Sequence, residues 1–294
     1  MSNEKAKDVV IAFLGTGQMG TPMAARLVAA GYLVRVWNRS PDRVKELVER
    51  GAHEAASPAV AVDGADVVIT MLPDGQSIET VLGGPEGAFT TVAKGAVWLQ
   101  MGTIGIEWTE RWHQSATEAG VLFVDAPVSG SVSPANEGRL IVLASGPDEA
   151  RAIADPVFAV LGTHTFWLGG AGAGSRAKLV LNNWLVDLVE MVVETLRFSK
   201  SLGLDPRAIV EMLADAPIGS PYAVAKAKGM LDDDFTPNFA LKHAVKDSLL
   251  ALDAARAADE ELPITEGLIG AWQRALDYGA GDLDLSVVYR YRGD

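Results

Sequence analysis

A glycine-rich turn near the N-terminus is the first stretch whose residue types and spacing could do chemistry. After an apolar run at residues 9–14, the sequence reads Gly15-Thr16-Gly17-Gln18-Met19-Gly20, and a helical pattern follows. A strand, G-x-G-x-x-G and a helix in direct succession form the setting in which this motif binds a dinucleotide. Gly15 permits the tight turn, Gly17 lets the backbone approach a pyrophosphate, and Gly20 lets helix pack on strand. The turn predicts a dinucleotide site, with a ligand-free glycine turn as the alternative.

The end of the second predicted strand, residues 33–37, indicates which dinucleotide binds. Sites for NAD place a carboxylate about 20 residues past the glycines, where it holds a ribose hydroxyl. No carboxylate stands here, and the sequence instead reads Asn38-Arg39-Ser40, with Arg43 further on. A guanidinium pairs with a ribose phosphate through charge-assisted hydrogen bonds. The stretch therefore favours NADP(H), with NAD(H) possible, and solvated surface charge is the alternative reading of the two arginines.

A lysine and an asparagine one helical turn apart form the second candidate. Lys178 and Asn182 fall near the start of an unbroken helical stretch at 175–202, which follows a second glycine-rich turn at 169–174. Residues four apart share one face of a helix. A cation near a helix N-terminus is disfavoured by the macrodipole, and no neighbour in the sequence compensates it. The pair could serve a site, or Lys178 could be a snorkelling lysine at a helix entrance.

The elements that must position these residues are of two kinds. Up to Gly169, strands alternate with helices, and further strands are predicted at residues 66–72, 97–101, 121–124, 140–144 and 165–168, the last two completing the sheet. After Gly169 only helices are predicted, at residues 175–202, 206–214, 221–230, 239–258 and 263–279. We expect an α/β fold, with an N-terminal Rossmann-type doubly wound sheet over residues 1–169 and an all-α C-terminal domain over 170–294. A long interdomain helix would join the two.

The long helix at 175–202 is itself informative about assembly. Leucine, valine, methionine and tryptophan fall on nearly every side of it, and a helix apolar all round is buried. Polar residues such as Asn182, Asp187 and Glu190 interrupt the apolar run, so it does not read as a membrane span. Because a small helical domain does not cover such an element alone, we expect a homodimer or homotetramer.

Composition excludes several classes of function. The chain has 294 residues, 49% of them hydrophobic, and its net charge of −13 argues against nucleic-acid or anionic membrane partners. It has no cysteine, so thiolate catalysis and zinc–thiolate sites are excluded, and its four scattered histidines do not suggest a metal site. Residues 1–8 are short and polar, unlike a signal peptide, and a cytoplasmic location is expected.

Together these stretches resemble the β-hydroxyacid dehydrogenase family over essentially the full chain, and within it the glyoxylate/succinic semialdehyde reductases. The resemblance rests on four blocks in order: residues 15–20, 125–130 (Asp-Ala-Pro-Val-Ser-Gly), 172–178 with Asn182, and 239–247. It implies an NAD(P)-dependent 3-hydroxyacid dehydrogenase or semialdehyde reductase. Such an enzyme reduces a small carboxylate-bearing aldehyde or keto acid, of the glyoxylate or succinic semialdehyde type, to the hydroxy acid.

The resemblance also implies a role for each matching residue. Lys178 would be the general acid that protonates the carbonyl oxygen as hydride reaches the carbon, and Asn182 would orient the substrate or Lys178. The substrate carboxylate would be bound by Ser129, Gly130 and Ser131, and Lys246 would contact cofactor or substrate. The nicotinamide-ribose side would be lined by Leu72, Pro73, Ser77 and Thr103.

Three departures from the family pattern leave the substrate's identity open, one of them at residues 132–136, where many members have a pair of small residues. Many members have a second glycine at the position of Ser131, and serine is common at the position of Gly102.

Two other functions compete with the reductase hypothesis. One is an imine reductase or reductive aminase acting on C=N, a group that commonly places aspartate or tyrosine where Lys178 stands. The other is a non-catalytic NADPH-binding scaffold, which would not need the lysine.

Overall fold

The computed structural model describes residues 9–84 and 87–291, so the expectation about residues 1–8 lies outside the described part. The strands are β1 (Val10–Leu14), β2 (Leu33–Trp37), β3 (His53–Glu54), β4 (Val67–Thr70), β5 (Val97–Gln100), β6 (Leu122–Asp125), β7 (Val128–Ser129), β8 (Leu140–Ala144) and β9 (Gly162–Trp167). The helices are α1 (Gly20–Ala29), α2 (Lys45–Glu49), α3 (Pro58–Val62), α4 (Gly75–Leu82), α5 (Ile106–Ala119), α6 (Val132–Glu137), α7 (Arg151–Leu161), α8 (Ala173–Ser201), α9 (Pro206–Asp215), α10 (Pro221–Asp232), α11 (Leu241–Ala257), α12 (Pro263–Asp277) and α13 (Val288–Tyr291).

Six parallel strands form the main sheet, in the order β3-β2-β1-β4-β5-β6. This is the strand order of a doubly wound dinucleotide-binding sheet, in which ligands bind where the order reverses, beside β1 and β4. The central strands are continuous apolar runs because both faces of the sheet are covered. Ile11 and Phe13 pack on one face, and Ala12 and Leu14 pack on the other. The predicted α/β fold with a helical C-terminal part is confirmed.

The expectation that residues 140–144 and 165–168 complete this sheet is wrong. A separate three-stranded sheet contains β8, which pairs antiparallel with β7 and parallel with β9. After β6 the chain turns at Pro127 directly into β7, and this short strand takes one edge of β8. An isolated antiparallel bridge between Asp125 and Ser145 links the end of β6 to the end of β8. These pairings align β8 with β7 and β9 instead of with β6.

The chain divides into two compact units, Met1–Lys178 and Leu179–Asp294. In the first unit, one apolar cluster includes Phe13 and Phe158, and a second includes Trp98 and Phe123. The second unit has a cluster of its own around Val193, Trp272 and Leu285. The division falls within α8, whereas the sequence placed a domain boundary after Gly169, which stays a prediction.

The 29-residue helix α8 is apolar on nearly every side but is not covered on every side. Val186, Val189 and Val193 are fully buried in the second unit. A second face carries large apolar side chains that are 56% to 69% exposed, which we call the α8 stripe: Val180, Trp184, Met191 and Phe198. The chain alone therefore leaves part of the apolar surface of α8 uncovered, and burial of the helix all round was expected only with the help of a partner subunit.

A buried ion pair fixes the tail of the helical unit. Lys226 Nζ of α10 lies 2.6 and 2.7 Å from the two carboxylate oxygens of Asp284, and the side chains are only 10% and 3% exposed. Asp284 also accepts hydrogen bonds from the hydroxyl and N–H of Ser286 and from the N–H groups of Asn238 and Phe239. One carboxylate thus joins α10, the segment before α11 and the tail.

Between residues 9 and 291, with 85 and 86 left aside, no helix combines the length and the apolar character that crossing a bilayer needs. No group of three or more histidine, aspartate or glutamate side chains in those residues is placed to hold a metal ion.

Candidate active site

The turn between β1 and α1 has a backbone that requires glycine at two of the three motif positions. Gly15 has φ +103°, and a Cβ there would lie 2.5 Å from the backbone oxygen of Met71. A Cβ on Gly20 would lie 1.9 Å from the backbone oxygen of Gly15. At Gly17, by contrast, a Cβ would meet no atom of the described residues within 4 Å. The turn is packed at both ends and open in the middle, where a ligand can approach the backbone.

The groups around this opening fit the pyrophosphate of a dinucleotide. Within the described residues, no side chain caps the first turn of α1, where the N–H groups of Thr21 and Met23 donate to the carbonyls of Gly17 and Met19. The N-terminus of α1, the positive end of the helix dipole, begins at this opening and favours an anion there. Thr16 Oγ1 is buried and has no hydrogen-bond partner among the described residues. A buried hydroxyl without a partner is rare, and a ligand oxygen would satisfy it.

Asn38 ties the end of β2 to the glycine turn. Its Oδ1 accepts a hydrogen bond from the N–H of Thr16 at 3.2 Å, and its Nδ2 donates to the carbonyl of Ser40 at 3.2 Å. The sequence placed Asn38 and Ser40 at the cofactor. In the structure Asn38 braces the loop against the turn, which sets where the following residues stand.

Two exposed arginines follow Asn38 in the chain. Arg39 follows Asn38, and Arg43 ends a single 3₁₀ turn, and both side chains face solvent. The first carboxylate after β2 is Asp42, which forms an exposed salt bridge with Lys45 at 2.6 Å. The charge offered at the end of β2 is therefore mainly positive, as a ribose phosphate requires.

The loops after β4 and β5 are fixed by side-chain hydrogen bonds to the backbone. Asp74 Oδ1 accepts from the N–H of Ser77 at 2.7 Å and caps α4. Gln100 donates to the carbonyl of Gly102 at 2.8 Å and accepts from its N–H at 3.0 Å. A Cβ on Gly102 would lie 2.3 Å from the backbone oxygen of Leu72, so a serine does not fit this loop as it stands. The predicted cofactor residues in these loops and the first turn of α4 are Leu72, Pro73, Ser77 and Thr103.

The predicted carboxylate-binding residues begin at the end of the two-residue strand β7. Ser129 ends β7 and pairs with Ile141 of β8. Gly130 has φ +134°, and a Cβ there would lie 2.8 Å from the Leu140 side chain, so the position requires glycine. Ser129 and Ser131 are half-buried on either side of it. Two hydroxyls and a glycine N–H in succession are donors suited to a carboxylate.

Lys178 and Asn182 are both buried in α8, with 9% and 3% of their surfaces exposed. Such burial does not fit the snorkelling alternative, which requires a lysine head in water. In the helical unit, Asn182 Nδ2 donates to Asp247 Oδ2 at 2.5 Å, and Lys246 Nζ lies 2.8 Å from Asp247 Oδ1. Asp247 therefore orients two of the predicted site residues at once.

A buried polar network that sequence reasoning did not identify holds the start of α8. Asp125, at the end of β6, accepts from the N–H of Ser175 at 2.7 Å through Oδ2, and its Oδ1 lies 2.7 Å from Ser175 Oγ. Ser145 Oγ lies 3.2 Å from Asp125 Oδ2 and accepts from the N–H of Gly174 at 2.9 Å. Thr109 Oγ1 lies 3.1 Å from Ser175 Oγ. The signal available in the sequence was a carboxylate directly after a buried strand.

Comparisons with known proteins extend over both units. Residues 10–169 match the NAD binding domain of 6-phosphogluconate dehydrogenase, and residues 172–292 match the family described as NAD-binding of NADP-dependent 3-hydroxyisobutyrate dehydrogenase. The chloroplastic glyoxylate/succinic semialdehyde reductase 2 of Arabidopsis thaliana is 34% identical, over 95% of this chain and 78% of that protein. The solved structure of Mycobacterium tuberculosis 3-hydroxyisobutyrate dehydrogenase with L-serine has a TM-score of 0.86 at 29% identity, covering 97% of this chain and 99% of that one. An imine reductase from Pseudomonas sp. shares the fold, with a TM-score of 0.63 at 21% identity over 96% of this chain and 99% of that one.

Proposed function

The chain belongs to the β-hydroxyacid dehydrogenase family, and from that premise we propose that it reduces a small carboxylate-bearing aldehyde or keto acid to the hydroxy acid. Substrates of the glyoxylate or succinic semialdehyde type fit the proposal. The observation that carries it is the burial of Lys178 in the second turn of α8. The same unit carries the donors at 129–131 and the glycine turn.

Each residue of the proposed site has a defined task. Reduced nicotinamide dinucleotide, when bound along the glycine turn, supplies the hydride. The hydroxyl of Ser129 and the N–H of Gly130 hold the substrate carboxylate, with Ser131 beside them. Lys178 Nζ gives a proton to the carbonyl oxygen, so that the product is the alcohol and solvent later restores the ammonium. Asn182 and Lys246, both oriented by Asp247, position the reacting groups.

A substrate panel tests this function against the two alternatives. NADPH oxidation is measured with glyoxylate, succinic semialdehyde and a cyclic imine, and in reverse with L-serine and NADP+. We expect kcat/KM for at least one aldehyde to exceed that for the imine by about 100-fold. A site that hydrogen-bonds a carboxylate discriminates against a cyclic imine that lacks one. A preference for the imine would assign the chain to the C=N alternative. Tight NADPH binding with no turnover of any of them would leave the scaffold alternative.

The preference for NADP(H) is proposed from the two exposed arginines at the end of β2. Arg39→Ala is expected to raise the KM for NADPH by about 10- to 100-fold, because a charge-assisted hydrogen bond contributes roughly 1.5–3 kcal/mol. The KM for NADH should stay within about twofold, since NADH has no phosphate for the guanidinium to pair with. Initial rates with both cofactors give the comparison. The matched control is Arg50→Ala, which removes an exposed arginine that follows α2 and forms a salt bridge with Glu46. Equal changes for both cofactors would contradict the 2′-phosphate argument.

Assembly into a homodimer or homotetramer is proposed from the α8 stripe. Four large apolar side chains along one face of a helix form a patch of the kind that a second subunit covers. Light scattering measures the mass of the assembly directly, and the mass of a single chain, 31.0 kDa, would contradict this proposal.

The remaining partner and location statements rest on composition. A net charge of −13 opposes nucleic acid and anionic membranes as partners. The lack of cysteine suits a reducing compartment, and we propose the cytoplasm.

A further inference from the structure

Asp125 is a fully buried carboxyl that the proposed reaction does not use. It ends the edge strand β6 and faces the first turn of α8, where it meets Ser175 through both oxygens. Buried carboxyl groups are costly unless they are fully hydrogen-bonded. This one has three side-chain or backbone partners, which indicates that the position has a defined task.

That task is to hold the start of α8 against the ends of two strands. The first N–H groups of a helix have no partner within the helix. Here the N–H of Ser175 is taken by Asp125, and the N–H of Gly174 is taken by Ser145 Oγ. A Cβ on Gly174 would lie 2.2 Å from the backbone oxygen of Leu143, so the helix start also lies in close contact with the end of β8.

Lys178 is the next residue along the same face of the helix. It follows Ser175 by three positions, a rise of about 4.5 Å, and residues three apart share a face. Helical side chains lean towards the N-terminus and cover the turn before their own Cα. The side chain of Lys178 therefore extends over the turn that Asp125 and Ser145 hold. A shift of that turn would also shift the Cα of Lys178.

We propose that Asp125 is a positioning residue for Lys178, which it holds in place by anchoring Ser175 and the first turn of α8. The inference rests on the proposed role of Lys178 as proton donor. Asp125 itself touches neither substrate nor cofactor in this scheme. Its effect on the rate comes from geometry, since a misplacement of about 1 Å costs about 100-fold in rate.

The hydrogen atoms of the network show which substitution should preserve the anchor. Three contacts run in series: Asp125 Oδ1 to Ser175 Oγ, Ser175 Oγ to Thr109 Oγ1, and Thr109 Oγ1 to the carbonyl of Gly105 at 2.7 Å. The hydroxyl of Ser175 donates to Asp125 Oδ1, and burial raises the pKa of Asp125 while hydrogen bonds from Ser175 and Ser145 oppose the shift. In an asparagine at this position, the amide oxygen accepts from the N–H of Ser175, and the NH₂ group donates to Ser175 Oγ. The Ser175 hydroxyl then turns to donate to Thr109 Oγ1, so the anchor is kept.

The first experiment compares Asp125→Ala with Asp125→Asn in the full-length enzyme. Asp125→Ala should lower kcat by about 10- to 100-fold through misplacement of the lysine, while the Kd for NADPH, measured by cofactor fluorescence, stays within about twofold. Asp125→Asn should restore kcat to within about threefold of wild type, since it keeps every hydrogen bond. A folded Asp125→Ala variant with wild-type kcat would overturn the inference. An Asp125→Asn variant as slow as Asp125→Ala would overturn the hydrogen-bond assignment on which it depends.

A double-mutant cycle with Lys178→Ala separates positioning from a general loss of structure. If Asp125 acts through the lysine, the effect of Asp125→Ala on kcat should fall to less than about twofold in the Lys178→Ala background. An effect of the same size in both backgrounds would refute the positioning role. Wild-type turnover by Lys178→Ala alone would instead refute the proposed function, so the two failures are distinguishable. Should Asp125→Ala not fold, Ser175→Ala, which keeps the backbone contact and loses only the hydroxyl, is read by the same criteria with an expected loss of about five- to tenfold.

Discussion

Lys178→Ala is expected to lower kcat for aldehyde reduction by about 10²- to 10⁴-fold, the usual contribution of a positioned general acid. The variant removes the group that we propose protonates the developing alkoxide, and it leaves the glycine turn and the arginines at β2 untouched. The Kd for NADPH should therefore change by less than about threefold, since no proposed phosphate contact is lost. Steady-state rates with the best aldehyde of the panel, together with a fluorescence titration of NADPH, measure both quantities.

Two further lysine variants make this result specific. Lys200→Ala removes an exposed lysine of the same helix, bonded to Tyr289 Oη at 2.8 Å, and should leave kcat unchanged. Lys178→Arg keeps the positive charge, but a guanidinium does not release its proton near neutral pH, so kcat should remain low. Wild-type turnover in Lys178→Ala, or full rescue by arginine, would show that the proton comes from elsewhere.

The second large effect is expected on stability. Asp284→Ala should lower the free energy of unfolding of the helical unit by about 3–5 kcal/mol, the usual cost of leaving one member of a buried ion pair without its partner. The variant leaves Lys226 buried without its counter-charge and removes the acceptor of four further hydrogen bonds. Hydrogen exchange of α10 and α11 amides under increasing urea measures this unit directly. Asp282→Asn, at an exposed pair with Lys242, is the control and should leave the exchange unchanged.

The same pair gives a pH dependence with a defined sign. Burial by itself would raise the pKa of Asp284, but the charge of Lys226 and hydrogen bonds from Lys226 and Ser286 outweigh it and hold the pKa below its ordinary value. A carboxyl whose pKa is lower in the folded state stabilises the fold above its unfolded pKa, about 3.9, and loses that contribution as the pH falls further. The stability difference between wild type and Asp284→Ala should therefore be constant near neutral pH and shrink below about pH 4. A difference that grows on acidification would contradict this assignment.

The glycine turn and the strand pattern could be predicted because each depends on residues adjacent in the chain. The positive φ of Gly15 and the close approach of Gly20 to Gly15 belong to a turn that begins and ends within six positions, and the buried strands beside it are continuous apolar runs. The cap of α4 by Asp74 is equally local, reaching Ser77 three residues on. Residues this close in the sequence are also close in space, so a local pattern is enough to predict their contacts.

The features that escaped prediction depend on contacts far apart in the chain. Asp125 meets Ser145 and Ser175, which are 20 and 50 residues away, so no local pattern connects them. The second sheet depends on the two-residue strand β7, which is too short to show a period. The α8 stripe is apolar like the buried face of the helix, so apolar character alone does not show which face the chain covers.

The contact between Gly102 and the Leu72 carbonyl sets a limit on redesign of the enzyme. Any larger side chain at position 102 must displace a backbone oxygen that would lie 2.3 Å from its Cβ. In a mutant library aimed at new substrates, we therefore expect few of the variants with a substitution at position 102 to fold. Ser131, at the proposed carboxylate site, and its neighbours Val132 and Ser133 are half-buried or exposed, so we expect a library at these positions to keep more folded variants.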